Sequence, residues 1–141
     1  MKAKRTDYWS SYSPEPAIVL YRGKKPLPDA LPSDPNVFLI WEGFFDPIHT
    51  ALLDCHGHDK LPVEFIAWNE CTGWYNAGSE KIDDPGFSAD KLGEVRDQNL
   101  RDVSNESYTQ DVESCMADLI LYLRESQELD VPVFIHNGFF T

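Results

Sequence analysis

The residue pattern predicts an α/β fold: a single domain with a small mixed or mostly parallel sheet of about four strands packed with about three helices. Three observations predict it. Val37–Trp41, VFLIW, is an unbroken apolar run of strand formers, as expected of a strand covered on both faces. Ile48, Ala51, Leu52 and Cys55 follow at helical spacing, so a strand feeds a helix as in half of a βαβ unit. Farther along, Val112, Cys115, Met116, Leu119, Ile120 and Leu123 recur at i, i+3, i+4, i+7, i+8 and i+11, the stripe of a helix laid on a core. A chain of 141 residues has the length of one ordinary domain, able to bury roughly 68–70% of the surface its unfolded form exposes.

Taken in order, Met1–Pro16 is basic at its start, carries Tyr8, Trp9 and Tyr12 among serines, and closes on Pro14 and Pro16. It reads as an irregular arm (1–16) ahead of one α/β domain (17–141), with its rings expected to fold back onto that domain. Ala17–Tyr21 is a short strand and Arg22-Gly23-Lys24-Lys25 a turn. Prolines at 26, 28, 32 and 35 then exclude helix and central strand, leaving an extended connection. After Val37–Trp41, Asp46 is placed to cap a helix, Pro47 to occupy its first position and Gly57 to stop it.

Val63–Trp68, VEFIAW, holds one charge and reads as a third, mostly covered strand. Asn69–Gly78, NECTGWYNAG, is the loop leaving its carboxyl end, where open α/β sheets bind ligands. Asp84-Pro85-Gly86 marks a turn. Ser88 caps a helix reaching Val103, with Leu92, Val95, Leu100 and Val103 as a thin stripe weakened by Gly93. In the next helix Asp111 and Glu113 sit near the positive end of the dipole. Val131–Ile135 is the last strand, with Pro132 at its start or on an edge. Helices between successive strands favour parallel crossovers.

Charge narrows the function classes. The net charge is −12, unevenly placed: residues 1–25 hold six basic and two acidic groups, and the remaining six basic and 22 acidic groups give residues 26–141 a charge of −16. Such a body repels phosphate backbones and anionic membranes, so neither nucleic acid nor membrane is expected as a partner, and it steers cationic partners inward. The longest apolar runs, Val37–Trp41 and Leu119–Leu123, fall far short of the ~20 residues of a bilayer crossing. Lys2, Lys4 and Arg5 are followed by Asp7, Ser10, Ser11 and Ser13 instead of an apolar stretch, so no secretory signal is expected. Cys55, Cys71 and Cys115 are odd in number and lack a C-x-x-C pair, which predicts reduced thiols, mostly in the core, and a cytoplasmic protein.

Chemistry-bearing residues gather near the central helix. Asp54-Cys55-His56-Gly57-His58-Asp59 offers imidazole, thiolate and carboxylate ligands, but a metal centre needs three or four that converge, with His49 or His136 as the candidates to complete it. Cys71 is a nucleophile only if a histidine meets it. Gly43-Phe44-Phe45-Asp46-Pro47-Ile48-His49 resembles the G-x-F-D-P-x-H opening of the nucleotidylyltransferases that make dinucleotide cofactors. The resemblance implies a motif that follows a strand and starts a helix, with histidines stabilising phosphates during adenylyl transfer. It covers seven residues, and Thr50-Ala51-Leu52 stands where the family continues x-G-H. The enzyme alternative is therefore a degenerate nucleotidyltransferase or metal-dependent hydrolase using His49, His56 and His58.

The expected function is instead non-catalytic, with no catalytic residues, metal or cofactor assigned. Trp74 and Tyr75, flanked by Glu70, Glu80, Asp83 and Asp84, combine rigid aromatic anchors with a negative rim, the composition of an interface for a basic protein. Immunity proteins and antitoxins, which neutralise toxic partner proteins, are similar in size and charge.

Overall fold

The computed structural model describes residues 1–23, 34–76 and 78–138. The chain forms an α/β domain whose five described strands make one mixed sheet in the order β1-β3-β2-β5-β4. The strands are β1 (Asp7–Tyr8), β2 (Ala17–Arg22), β3 (Val37–Trp41), β4 (Ser79–Ile82) and β5 (Val133–Gly138). Five helices are described: α1 (Glu42–His56), α2 (Val63–Glu70), α3 (Pro85–Gly93), α4 (Asp97–Val103) and α5 (Thr109–Leu129).

The period-two alternation of the strands sorts their side chains into two buried faces. Ile18, Leu20, Phe38, Ile40, Val133 and Ile135 join residues from all five helices in the main core. Ala17, Val19, Tyr21, Val37 and Leu39 point the other way and form a smaller cluster with Trp9. The prediction that VFLIW is covered on both sides holds, since Val37–Ile40 are all buried.

The direction of the strands differs from the expected parallel crossovers. β2 runs antiparallel to both β3 and β5, and β4 is antiparallel to β5; β1 with β3 is the parallel pair among the described residues. The reason is topological. After β3 the chain passes through α1 and α2 to the far edge of the sheet, lays down β4, and returns through α3, α4 and α5 to insert β5 beside it. The helices thus join strands that are either not neighbours or antiparallel neighbours.

Context overrides local pattern in several elements. The Met1–Pro16 arm is not irregular throughout: β1 pairs with β3, Ser10–Tyr12 forms a single helical turn, and Tyr8 and Trp9 are buried. α1 begins at Glu42, so Asp46 is not its cap and Pro47 lies inside it. Pro47 cannot donate to the carbonyl of Gly43, which removes one intrahelical bond near the start of α1. A Cβ on Gly43 would lie 2.5 Å from the Trp41 ring, which folds over the helix start.

Val63–Trp68 is not a strand but most of α2, which Pro62 precedes and Cys71 ends in the left-handed region at φ 56°. A six-residue apolar run suits either structure; here Glu64, Phe65, Ala67 and Trp68 share the buried side while Val63, Asn69 and Glu70 face out. The helix read from Ser88 to Val103 is two helices, α3 capped by Asp84 and α4, parted at Glu94–Arg96 beyond the weak Gly93. β4 arises in a charge-rich stretch with no strand pattern. Part of the Arg22–Lys25 turn and most of the proline-rich connection lie outside the described residues. Of the cysteines, Cys115 is buried but Cys55 and Cys71 are exposed, contrary to a mostly core placement, and all three are free. Among the described residues no helix is long and apolar enough to cross a membrane.

Candidate functional site

The residues expected to meet a partner fall in successive elements, the end of α2, a helical turn at Gly73–Tyr75, β4 and the start of α3, and the turn packs on both α2 and β4. α2 ends because Cys71 takes the left-handed conformation, letting its N–H reach back to Ala67 and Trp68. Gly73, at φ +56°, continues the reversal; a Cβ there would come within 3.2 Å of Glu80 Oε1, so the turn is seated against β4.

That seating decides the fate of the two rings. Trp74 is only 1% exposed: it stacks on Trp68 at 5.2 Å, meets Phe45 edge-on at 5.9 Å, and donates its indole N–H to the Glu64 carbonyl at 2.8 Å. It is a core residue that fastens the turn to α2, so the role of surface anchor read from the sequence does not fit its position. Tyr75 is half-buried, lies edge-on to Trp68, and offers its carbonyl to Asn137 at 2.9 Å. A hydrogen bond with the Cys71 thiol holds the Tyr75 hydroxyl above its ordinary pKa.

Four carboxylates flank this turn in the chain. Glu70 is exposed and sits 3.8 Å from His58. Glu80, half-buried on the edge strand β4, has its pKa raised by burial and by Asp83. Asp83 and Asp84 are exposed, and Asp84 accepts the Phe87 amide at 2.9 Å as the cap of α3. The Asp83–Asp84 pair forms the wall between two clefts. One, of about 360 Å³, runs toward Lys81, Gln127 and Asp130; the other, of about 110 Å³, is bounded by Leu61, Pro62, Val63, Phe87, Glu64 and Ser88. Val63 and Phe87, 63% and 43% exposed, flank the smaller cleft with apolar surface.

Glu64 at the floor of that cleft was not singled out by sequence reasoning. It is 5% exposed, receives the hydroxyl of Ser88, and is pushed up to about pKa 7 by burial, with Glu80 and Asp83 adding to the shift. The one charge inside VEFIAW was the signal, and the helix, not the strand expected there, turns it toward α3.

The histidines are held apart. His49 is buried, its ring parallel to Phe65 at 6.3 Å and its Nε2 without a hydrogen-bond partner; burial lowers its pKa. His56 contacts the Lys91 carbonyl at 2.9 Å and Glu94 at 3.5 Å, while His58 faces Asp59 and Glu70. His136 contacts the Gly78 carbonyl at 2.6 Å. Among the described residues no three His, Cys, Asp or Glu side chains gather as a metal site. The Gly43–His49 stretch does follow a strand and open a helix, as the nucleotidylyltransferase motif would, but its histidine is turned into the protein against Phe65. Comparison with protein-family models, curated proteins and solved structures finds no match to this chain.

Proposed function

We propose that this protein is a small, acidic, non-catalytic inhibitor that works in the cytoplasm, capturing and neutralising a basic partner protein as immunity proteins and antitoxins do. The observation that carries this reading is the exposed Asp83–Asp84 pair, which lines two clefts. A wall of like charge between recesses suits basic side chains entering from either flank, and the body's negative charge speeds their approach. Val63 and Phe87 supply the apolar surface that an interface needs beside its charged rim. Trp74 contributes indirectly, by holding the turn that presents Tyr75.

The test is association. Expressed in its own cell, the protein should co-purify with a basic polypeptide, and Asp83→Lys with Asp84→Lys should slow association by about tenfold or more, most visibly at low salt. Absence of such a partner, or a partner whose association ignores both reversals and the salt concentration, overturns the reading.

A further inference from the structure

Glu64 occupies an unusual position for a carboxylate. It lies in the joint between α2 and α3, 5% exposed, and the hydroxyl of Ser88 is its partner across that joint. The groups facing it bring no compensating charge. α3 offers neutral Ser88; β4 offers Glu80; the turn after β4 offers Asp83, with Asp84 on the rim; and the Trp74 indole bonds the Glu64 backbone carbonyl, not its carboxyl. Among the described residues lining the cleft there is no Lys, Arg or His. Burial and the two neighbouring carboxylates favour the protonated form and outweigh the Ser88 hydroxyl and the Glu64 amide, which hydrogen-bond the ionised one; once ionised, the group is a buried charge with no counter-ion.

We propose that Glu64 is a proton-operated latch: the neutral carboxyl lets the joint between α2 and α3 stay closed and dry, and ionisation, although Ser88 still donates to the carboxylate, draws water in through the small cleft and loosens that joint. The geometry gives the motion a direction. The cleft of about 110 Å³ already lies beside the carboxyl, bounded by Val63 on α2 and Phe87 on α3, so a small separation of the two helices hydrates the anion. The latch does not depend on whether this face binds a partner.

The sign follows from burial, which raises the folded-state pKa from 4.5 to about 7. The stabilisation is therefore complete below the unfolded value of 4.5 and is lost as pH rises through about 7.

Amide hydrogen exchange reads the joint directly. With rates corrected for intrinsic pH dependence, protection of the α2 amides relative to those of α5 should fall about tenfold between pH 6 and pH 8 in the unaltered protein. In Glu64→Gln, which keeps a hydrogen-bonding side chain and cannot ionise, the ratio should stay constant. A constant ratio in the unaltered protein overturns the proposal whether or not the variant folds; an equal fall in both proteins overturns it as well.

Discussion

Tyr8 and Asp118, 110 residues apart in the chain, meet in a buried hydrogen bond of 2.5 Å in which the tyrosine hydroxyl donates to Oδ2. The other oxygen of Asp118 accepts the Lys4 amide at 2.9 Å. The aspartate thus ties the N-terminal arm to α5, and burial together with the adjacent carboxylate raises the Tyr8 pKa far above its ordinary value. Asp118→Ala should leave the hydroxyl buried without a partner and cost about 2–4 kcal/mol, whereas Tyr8→Phe, which removes the donor, should cost about 1–2 kcal/mol. Urea denaturation of the two variants checks the order.

Arg22 is held from four directions. Its guanidinium reaches Glu125 at 3.0 Å, the Ser126 hydroxyl at 2.6 Å and the Tyr122 carbonyl at 2.9 Å, and lies over the Tyr122 ring at 4.3 Å. Its side chain is 7% exposed and that of Glu125 16%. Arg22→Met should destabilise by about 3–5 kcal/mol, because Glu125 keeps its charge in a largely covered site. Arg22→Lys should recover little of that, since an ammonium cannot span the same acceptors. Thermal melts of both variants decide it.

Gly43 and Gly86 should respond oppositely to alanine. At Gly43 the new Cβ meets the Trp41 ring, which stacks on Tyr12 at 4.0 Å and packs edge-on to Phe44, so the ring has nowhere to go; the expected cost is about 1–3 kcal/mol, with a shift in tryptophan fluorescence. At Gly86 the clash is with the end of the Gln127 side chain, which is exposed and can swing away. The helix propensity gained there offsets the rearrangement, and the change should be within about 1 kcal/mol.

Trp74 separates a core role from a contact role. Trp74→Phe loses the indole bond to Glu64 and part of the packing on Trp68, and should cost about 1–3 kcal/mol. Asp83→Lys, measured at pH 5 where Glu64 holds its proton, should change stability by less than about 1 kcal/mol, because the residue is exposed. Denaturation curves for the pair establish that any effect of Asp83 on association is not a folding defect.

His49 gives the acid limb of stability a sign opposite to that of Glu64. Burial lowers its folded-state pKa below the ordinary 6.5, so its contribution is complete above 6.5 and is lost as pH falls through the depressed value. His49→Phe, which removes the titration and keeps a ring against Phe65, should flatten the decline of stability below pH 6.5. Unfolding free energies measured across that range check it.

The α/β class, the β3–α1 unit, the long amphipathic α5 and the acidity of the body are legible in the residues because each is written in local periodicity or composition. Asp84-Pro85-Gly86 reads as a turn ahead of a helix capped by Ser88, whereas it supplies the cap and first two residues of α3 and Ser88 lies inside that helix. Packing in three dimensions is what coils VEFIAW into α2, extends SEKI as an edge strand and sets β2, β5 and β4 antiparallel. Short segments take whichever conformation lets their neighbours close the core, and the same packing drew Trp74 inward. It also left Glu64 as a carboxyl under cover, a placement invisible to spacing because it depends on which helix lies opposite.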